Sequence, residues 1–256
     1  MTVARVLVVA GSDSGGGAGI QADIKTIAML GGHPMTAITA VTAQNTLGVQ
    51  AVHPVPTDMV LAQVESCLSD LGADAVKIGM IGSAETARAV ADRLERVAIP
   101  IVFDPVMIAT SGSTLADPAT IAAFERLMRI ATVVTPNLPE LGALGGVAAV
   151  LAHGCHLAAK GGHGDGPIIT DRLLAPAGEL AAVRSPRVDT SDTHGTGCTF
   201  ASALACGLGA GLRLEDAFAR AIRFVRAAIL AAPGLGGGHG PLGHALGVTP
   251  FDVIAR

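Results

Sequence analysis

The sequence predicts an α/β fold in which a mainly parallel central sheet carries helices on both faces. The chain has 256 residues and is 50% hydrophobic, which suits one large domain that we expect to span residues 1–256. Short, continuous apolar runs, typical of strands buried on both faces, alternate with segments whose apolar residues recur at helical spacing. That alternation, with no linker or internal repeat, is the pattern of parallel strands joined by crossover helices.

The expected elements follow in order along the chain. In the first half, apolar runs predict strands or β-rich segments, and helical spacing predicts the helices between them. The strands are expected at residues 3–10, 34–41, 49–55, 75–78 and 99–103, and the helices at residues 20–30, 60–71 and 84–97. In the second half, helices are expected at residues 118–130, 196–208 and 215–231, and strands at residues 132–135, 157–159 and 168–174. Residues 233–240 are expected to be the most flexible segment.

Composition excludes several classes of function. A net charge of −4 argues against a nucleic-acid partner, and the absence of Trp and Tyr removes the usual stacking platforms for bases. The long uncharged stretches are interrupted by Pro, Gly and polar residues, so we expect no membrane segment. The N-terminus lacks the long apolar core of a secretory signal, which favours a cytoplasmic protein. The four cysteines form no CxxC, which makes structural zinc or a disulfide framework improbable.

Several standard catalytic signatures are also missing. The chain has no Walker A, GxSxG or HExxH sequence, and no dinucleotide fingerprint follows its first strand. These observations disfavour P-loop NTPases, α/β-hydrolases, zinc proteases and dehydrogenases. In parallel sheets, ligands bind outside the carboxyl ends of the strands, so the strand-to-helix loops are where we look for chemistry.

The strongest local signal is the sequence DTHGTGC at residues 192–198, directly before an apolar run. Gly195, Thr196 and Gly197 would leave their backbone N–H groups free at a helix N-terminus, where these donors and the helix dipole form an anion hole. Cys198 would lie in the same field, which favours a thiolate. The alternative is an ordinary glycine-containing helix start with a buried cysteine.

Three further loops carry polar residues that could serve a ligand. The glycine-rich run at residues 11–19 would let the backbone approach a ligand closely, or is simply flexible. Asp104 ends a buried strand and could hold Mg²⁺ or orient a water, or could cap the next turn. Asn137 and Glu140 could bind Mg²⁺-linked phosphate or water, but could equally cap a helix.

Lysine is rare: the chain has three Lys against 14 Arg. Such a bias suggests that the lysine sites need a compact ammonium group, although chance placement remains an alternative for each. Lys160 ends a strand and precedes two glycines, which is a good position for contact with a phosphate.

Taken together, these segments resemble a known family. In order they are GSDSGGGAGIQAD (11–23), TAQNT (42–46), KIGM (77–80), DPVM (104–107), TPNLPE (135–140), KGGH (160–163) and THGTGC (193–198). They look like the hydroxymethylpyrimidine/phosphomethylpyrimidine kinases of thiamine biosynthesis, within the ribokinase-like superfamily. The match spans nearly the whole chain, and seven ordered motifs are far more specific than GTGC alone.

The resemblance implies a ribokinase-like three-layer sandwich, usually dimeric. It also implies two successive ATP-dependent phosphorylations of 4-amino-5-hydroxymethyl-2-methylpyrimidine, first to the monophosphate and then to the diphosphate, with Mg²⁺ as cofactor. By position, the residues that would surround the pyrimidine are Gly11, Asp23, Gln44, Met80 and Val106. The catalytic anion hole would be formed by Gly195, Thr196, Gly197 and Cys198. Lys160 and Asn137 would contact ATP phosphate, and Asp104 and Glu140 would serve Mg²⁺.

Two features of this sequence bear on the expected chemistry. Gln44 suits an aminopyrimidine edge because a carboxamide is both donor and acceptor. Many ribokinase-like sugar kinases have an Asp base where this chain has Cys198. We hypothesise that a cysteine supplies a thiolate for the first step and is neutral for the second, whose phosphate acceptor a permanent carboxylate would repel.

The sequence departs from the family pattern in two places. The segment between Glu140 and Lys160 is shorter than expected, which leaves the edge of the nucleotide site less certain. Residues 109–112 lack a lysine that many members place there, and Thr110 could replace that phosphate contact.

Two alternatives stay open: a pyridoxal-type kinase of the same superfamily and a non-catalytic pyrimidine sensor. With no Tyr or Trp, a bound ring would be packed by aliphatic groups such as Val106 and Met80. The glycines at residues 236–238 have no assigned role at this point.

Overall fold

The computed structural model describes residues 3–109, 112–164 and 166–247; the expected contact at Thr110 lies outside them. Within these residues nine strands form one sheet. The strands are β1 (Arg5–Asp13), β2 (His33–Asn45), β3 (Gly48–Pro54), β4 (Ala75–Ile78), β5 (Ile101–Phe103), β6 (Val133–Val134), β7 (His156–Ala159), β8 (Ile168–Ala175) and β9 (Gly178–Pro186). The helices are α1 (Gly19–Met29), α2 (Thr57–Asp70), α3 (Ala84–Leu94), α4 (Pro118–Ile130), α5 (Leu138–Ala143), α6 (Gly146–Leu151), α7 (Thr196–Gly209) and α8 (Leu214–Leu230).

The sheet has the strand order β3-β2-β1-β4-β5-β6-β7-β8-β9. The six central strands, β2, β1, β4, β5, β6 and β7 in spatial order, pair in parallel. Strand β3 is added antiparallel at one edge, and β8 and β9 are added antiparallel at the other. Because the central strands run the same way, their carboxyl ends all open on one edge of the sheet.

Two hydrophobic cores lie on opposite faces of the sheet, as the predicted three-layer sandwich requires. One core packs α2, α3 and α4 against the sheet through residues such as Val64, Val90 and Phe124. The other packs α1, α7 and α8 through residues such as Ile27, Leu204 and Phe218. The strand residues alternate between the two cores, so both faces of the parallel region are buried.

The structure confirms the order of the predicted elements and corrects several details. Strand β1 continues to Asp13, so only the remainder of the glycine-rich run is loop. Two six-residue helices, α5 and α6, lie at the start of the short segment that leads to Lys160; each is too short to show the helical periodicity that predicts a helix. Strand β9 was also missed: it is an edge strand with mostly exposed residues, and its apolar run at residues 180–183 is short.

The segment expected to be most flexible is packed against the rest of the protein. His239 N donates to the carbonyl of Thr46, and His194 N donates to the carbonyl of Gly240. A Cβ on Gly238 would overlap the Thr46 carbonyl oxygen, so only glycine permits this approach. The glycines at residues 236–238 therefore allow this segment to pack closely against the turn between β2 and β3.

Candidate active site

One cavity of about 710 Å³ opens at the carboxyl ends of the parallel strands. Of the predicted site residues that the structure describes, all but Asp23 line it. The predicted residues in its wall are Gly11, Gln44, Met80, Asp104, Val106, Asn137, Glu140, Lys160, Gly195, Thr196, Gly197 and Cys198. The fold therefore assembles, from loops far apart in sequence, the set of residues that the motifs predict.

The predicted anion hole is the N-terminus of α7. Gly195 is the residue before the helix and has φ +86°, a left-handed conformation that favours glycine. A Cβ at this position would overlap the carbonyl oxygen of Gly17, so the two glycine-rich loops meet backbone to backbone. Gly197 and Cys198 follow in the first turn, where N–H groups have no partner within the helix. Both residues line the cavity, where free N–H groups at a helix N-terminus can hold an anion.

The protonation of Cys198 differs from the expectation. Burial raises the pKa of the Cys198 thiol to about 11. The charge of Lys77 acts in the opposite direction, but the carboxylates of Asp23 and Asp104 offset it. The expected thiolate is therefore not supported, and Cys198 presents a neutral thiol at pH 7.

An ion pair lies beside the anion hole. Lys160 Nζ is 2.9 Å from Asp104 Oδ1, which also accepts a 2.9 Å hydrogen bond from the hydroxyl of Thr135. Burial alone would lower the pKa of Lys160, but the charges of Asp104 and Glu140 raise it, so the ammonium is charged. A Cβ on Gly197 would lie 3.2 Å from Lys160 Nζ, so this ion pair borders the anion hole directly.

Asn137 and Glu140 form a helix cap, the alternative to ligand binding at these two positions. Asn137 Oδ1 accepts from Glu140 N, and Glu140 Oε2 accepts from Asn137 N, both at 2.8 Å. This capping box starts α5. Burial raises the pKa of Glu140 to about 7; Lys160 opposes that rise and Asp104 adds to it. Both side chains still line the cavity, so the cap places them there.

The other end of the cavity is lined by aliphatic groups and one amide. Met80 Sδ would lie 3.1 Å from a Cβ on Gly11, so the missing side chain at Gly11 makes room for Met80. The amide of Gln44 lies 3.2 Å from both Thr42 Oγ1 and His194 Nε2. Val106 also lines the cavity. This end of the cavity can hold a small, flat ring, and the amide of Gln44 can form hydrogen bonds with one polar edge of that ring.

Comparison with known proteins places this geometry in a family. The family model described as phosphomethylpyrimidine kinase matches residues 13–243. The chain belongs to the phosphomethylpyrimidine kinase family. It is 47% identical to the hydroxymethylpyrimidine/phosphomethylpyrimidine kinase of Streptomyces coelicolor, over 95% of both chains.

Solved structures agree with this assignment. Phosphomethylpyrimidine kinase from Clostridium difficile superposes with a TM-score of 0.75 at 34% identity, covering 88% of this chain and 99% of that one. Pyridoxal kinase from Staphylococcus aureus, in complex with AMP-PCP and pyridoxal, superposes with a TM-score of 0.85 at 32% identity. That match covers 95% of this chain and 94% of the other. The fold is therefore ribokinase-like, as predicted, and the chain is a kinase.

In this kinase Asp23 does not reach the cavity. It is fully buried behind Lys77, whose Nζ lies 2.9 and 3.0 Å from the two carboxylate oxygens, and it accepts a 2.6 Å hydrogen bond from Ser202. Burial alone would lower the pKa of Lys77, but the neighbouring charge of Asp23 raises it above its usual value. Asp23 therefore forms a buried ion pair with Lys77, which does line the cavity.

Sequence reasoning missed a second pair, Asp13 and His194. His194 Nε2 lies 2.9 Å from Asp13 Oδ2, and both side chains are buried. Asp13 also accepts from the backbone N–H groups of Gly15, Gly17 and Ala18 at 2.8 to 3.0 Å, which shapes the first loop. The available signals were a carboxylate at the end of the first strand and a histidine directly before the GTGC motif.

The described residues contain neither a metal-binding cluster nor a membrane-spanning helix. Within them, no three or more His, Cys, Asp or Glu side chains cluster in a way that could hold a metal ion. Nor does any helix in that part of the chain have the length and apolar character to cross a membrane. All four cysteines are free thiols.

Proposed function

We propose that the protein transfers the terminal phosphoryl group of ATP to 4-amino-5-hydroxymethyl-2-methylpyrimidine, and then a second one to the resulting monophosphate, in thiamine biosynthesis. The observation that carries this proposal is the placement of the GTGC anion hole between two ends of one cavity. One end holds the Lys160–Asp104 ion pair and the other holds the amide of Gln44. Relatives with this activity in their names match over nearly the whole chain.

ATP would bind at the Lys160 end of the cavity. The ammonium of Lys160 suits a phosphate, and AMP-PCP, an analogue of ATP, is bound by a pyridoxal kinase of the same fold. Asn137, which borders the same end, would be a further phosphate contact. The N–H groups of Gly197 and Cys198 would stabilise the charge that develops as the phosphoryl group moves, which is the main requirement of this chemistry.

Mg²⁺ would be held by Asp104 and Glu140. The residues fit such an ion: the charge of Asp104 helps to raise the pKa of Glu140, so the two carboxylates oppose each other and a divalent cation would relieve that repulsion. Two protein carboxylates completed by substrate phosphates are a usual magnesium site in kinases. When bound, the ion would neutralise charge on the phosphates.

Cys198 would contact the acceptor as a neutral thiol. A neutral group does not repel the monophosphate in the second step, which agrees with half of the charge hypothesis for this position. The other half, a preformed thiolate for the first step, has no support from the raised pKa of Cys198. Phosphoryl transfer through a loose transition state makes small demands on a base, because positioning and charge stabilisation dominate.

We also propose a cytoplasmic homodimer built from one domain per chain. Four free thiols suit a reducing compartment. Strand β3 is an exposed edge strand, and Val52 on it is 42% exposed, so this edge offers a surface for a second copy. Sedimentation of the purified protein would measure the oligomeric state directly.

Pyridoxal phosphorylation is the second candidate, favoured by the match to a pyridoxal kinase in complex with pyridoxal. Product analysis by mass spectrometry, after incubation with Mg·ATP and each acceptor separately, tests both. We expect pyrimidine monophosphate first and diphosphate later. Monophosphate alone would remove the second step, pyridoxal phosphate alone would favour the second candidate, and no product with either would favour a non-catalytic sensor.

A further inference from the structure

Arg187 lies one residue beyond the end of β9 and lines the cavity. All three nitrogens of its guanidinium donate hydrogen bonds to main-chain carbonyls. Nε and Nη1 donate at 2.9 Å to the carbonyls of Gly166 and Gly162, and Nη2 donates to the carbonyl of Gly164. Each bond fixes one peptide group, because a peptide group is planar. Arg187 therefore fixes three peptide groups of the chain that follows Lys160.

The start of the same segment is held against strand β8. Gly161 N donates to Asp171 Oδ1 at 2.8 Å. A Cβ on Gly161 would overlap the carbonyl oxygen of Thr170, so the two main chains are in direct contact. Gly162 and Asp171 line the cavity together with Lys160. This segment is therefore part of the wall beside the ammonium of Lys160.

The charge of Arg187 matters for a wall that borders an anion. Carbonyl oxygens carry partial negative charge, so three of them beside a phosphate would repel it. A guanidinium opposes that repulsion, because it is always charged and its planar fork of N–H groups can meet several oxygens at once. An ammonium is a compact point charge without such a fork. Three of the five N–H groups of Arg187 are used in this way, which ties the side chain to the segment after Lys160.

We propose that Arg187 is a positioning residue for the nucleotide, which holds the main chain at Gly162 and Gly164 in the conformation that admits a triphosphate beside Lys160. This inference rests on the proposed function, because it takes ATP to bind at the Lys160 end of the cavity. Loss of Arg187 should weaken nucleotide binding and leave binding of the pyrimidine, at the other end of the cavity, unchanged.

Calorimetric titration with AMP-PCP and Mg²⁺ measures nucleotide binding in the absence of any acceptor. We expect Arg187→Met to weaken AMP-PCP binding about tenfold or more, the worth of one hydrogen bond to a charged group. Arg187→Lys should resemble Arg187→Met, because one ammonium cannot replace three separate nitrogens. Arg184→Met is the matched control: Arg184 is an exposed arginine of β9 that makes no hydrogen bond or ion pair within the described part of the chain. The control should bind AMP-PCP as the wild type does.

Steady-state kinetics separate a positioning role from general damage to the protein. In Arg187→Met the KM for ATP should rise about tenfold, while the KM for the pyrimidine should stay within about twofold of the wild-type value. A merely structural role would affect the two ends of the cavity alike. Equal changes in the two KM values would therefore overturn the proposal.

Hydrogen exchange tests the conformation of the segment directly. The backbone amides of residues 161–164 should exchange faster in Arg187→Met than in the wild type, whereas those of α4 should not. Unchanged exchange at residues 161–164, or wild-type affinity for AMP-PCP in Arg187→Met or Arg187→Lys, would overturn the proposal. A wild-type protein that binds AMP-PCP but phosphorylates no pyrimidine would instead end the proposed function and leave the binding and exchange tests intact.

Discussion

Gly195 packs directly against the carbonyl oxygen of Gly17, with no room for a side-chain carbon between them. This contact joins the start of α7 to the loop that follows β1. It fixes the direction of the first turn of α7, and therefore the direction of the N–H groups that face the cavity.

Replacing Gly195 by alanine should damage both stability and activity. The new Cβ would overlap Gly17 and would also be strained at φ +86°. Gly211→Ala is the matched control, because Gly211 has φ +82° and open space around it. We expect the control to cost about 1 kcal/mol of unfolding free energy, and Gly195→Ala to cost clearly more. Urea denaturation measures both, and equal losses would show that the contact with Gly17 has no energetic weight.

Cys198→Asp should separate the two phosphorylations. A carboxylate here would leave the first step, with its uncharged hydroxyl acceptor, within about tenfold of the wild-type rate. The second step should fall at least tenfold further, because the acceptor phosphate carries about −1.5 to −2 charges at pH 7. Single-turnover assays starting from each acceptor give the two rates. Cys198→Ser, a neutral control, should slow both steps by the same factor; if the aspartate variant does so too, charge is not the reason for cysteine.

The buried pair of Lys77 and Asp23 should be far more sensitive than a surface pair. Lys77→Met leaves the Asp23 carboxylate uncompensated and fully buried, at a cost of about 3–5 kcal/mol of unfolding free energy. Lys77→Met combined with Asp23→Asn should cost less than the sum of the single changes. Arg93→Met breaks a surface pair with Glu65 and should cost about 1 kcal/mol or less. A loss below 1 kcal/mol for Lys77→Met would contradict the buried charge.

Asp13→Asn should change how stability depends on pH. The pKa of Asp13 is lowered in the folded protein, so its contribution is present above the unfolded pKa of about 3.9 and is lost as pH falls through the lower folded value. Asp13→Asn should therefore be less stable than wild type at pH 5 to 7. The difference should shrink below about pH 4. Denaturation curves of both proteins at several pH values test this. A difference in unfolding free energy that widens in acid would contradict the lowered pKa of Asp13.

The site could be predicted where its residues stand at strand ends or in compact motifs. Asp104 and Lys160 follow parallel strands, so the common direction of those strands brings them together. Gly195 and Gly197, directly before an apolar run, predict a helix N-terminus from the sequence alone. For these residues local pattern and sheet topology are sufficient.

The rest depended on contacts that no local pattern contains. Asp13 and His194 meet across 181 positions of sequence, and Asp23 and Ser202 across 179. Whether Asp23 contacts a ligand or supports Lys77 depends on which of the two side chains lies nearer the cavity, and the sequence does not contain that information. The protonation of Cys198 depends on burial and on three neighbouring charges, so its place at a helix start was a poor guide.

The packing of residues 236–240 against the rest of the protein has a consequence for its synthesis. His194 is held through its backbone by Gly240, and the turn beyond Gln44 is held by His239. During synthesis, the turn after Gln44 is therefore made long before His239, the residue that holds this turn in place. We expect the acceptor end of the cavity to become ordered only after residues 239 and 240 have left the ribosome.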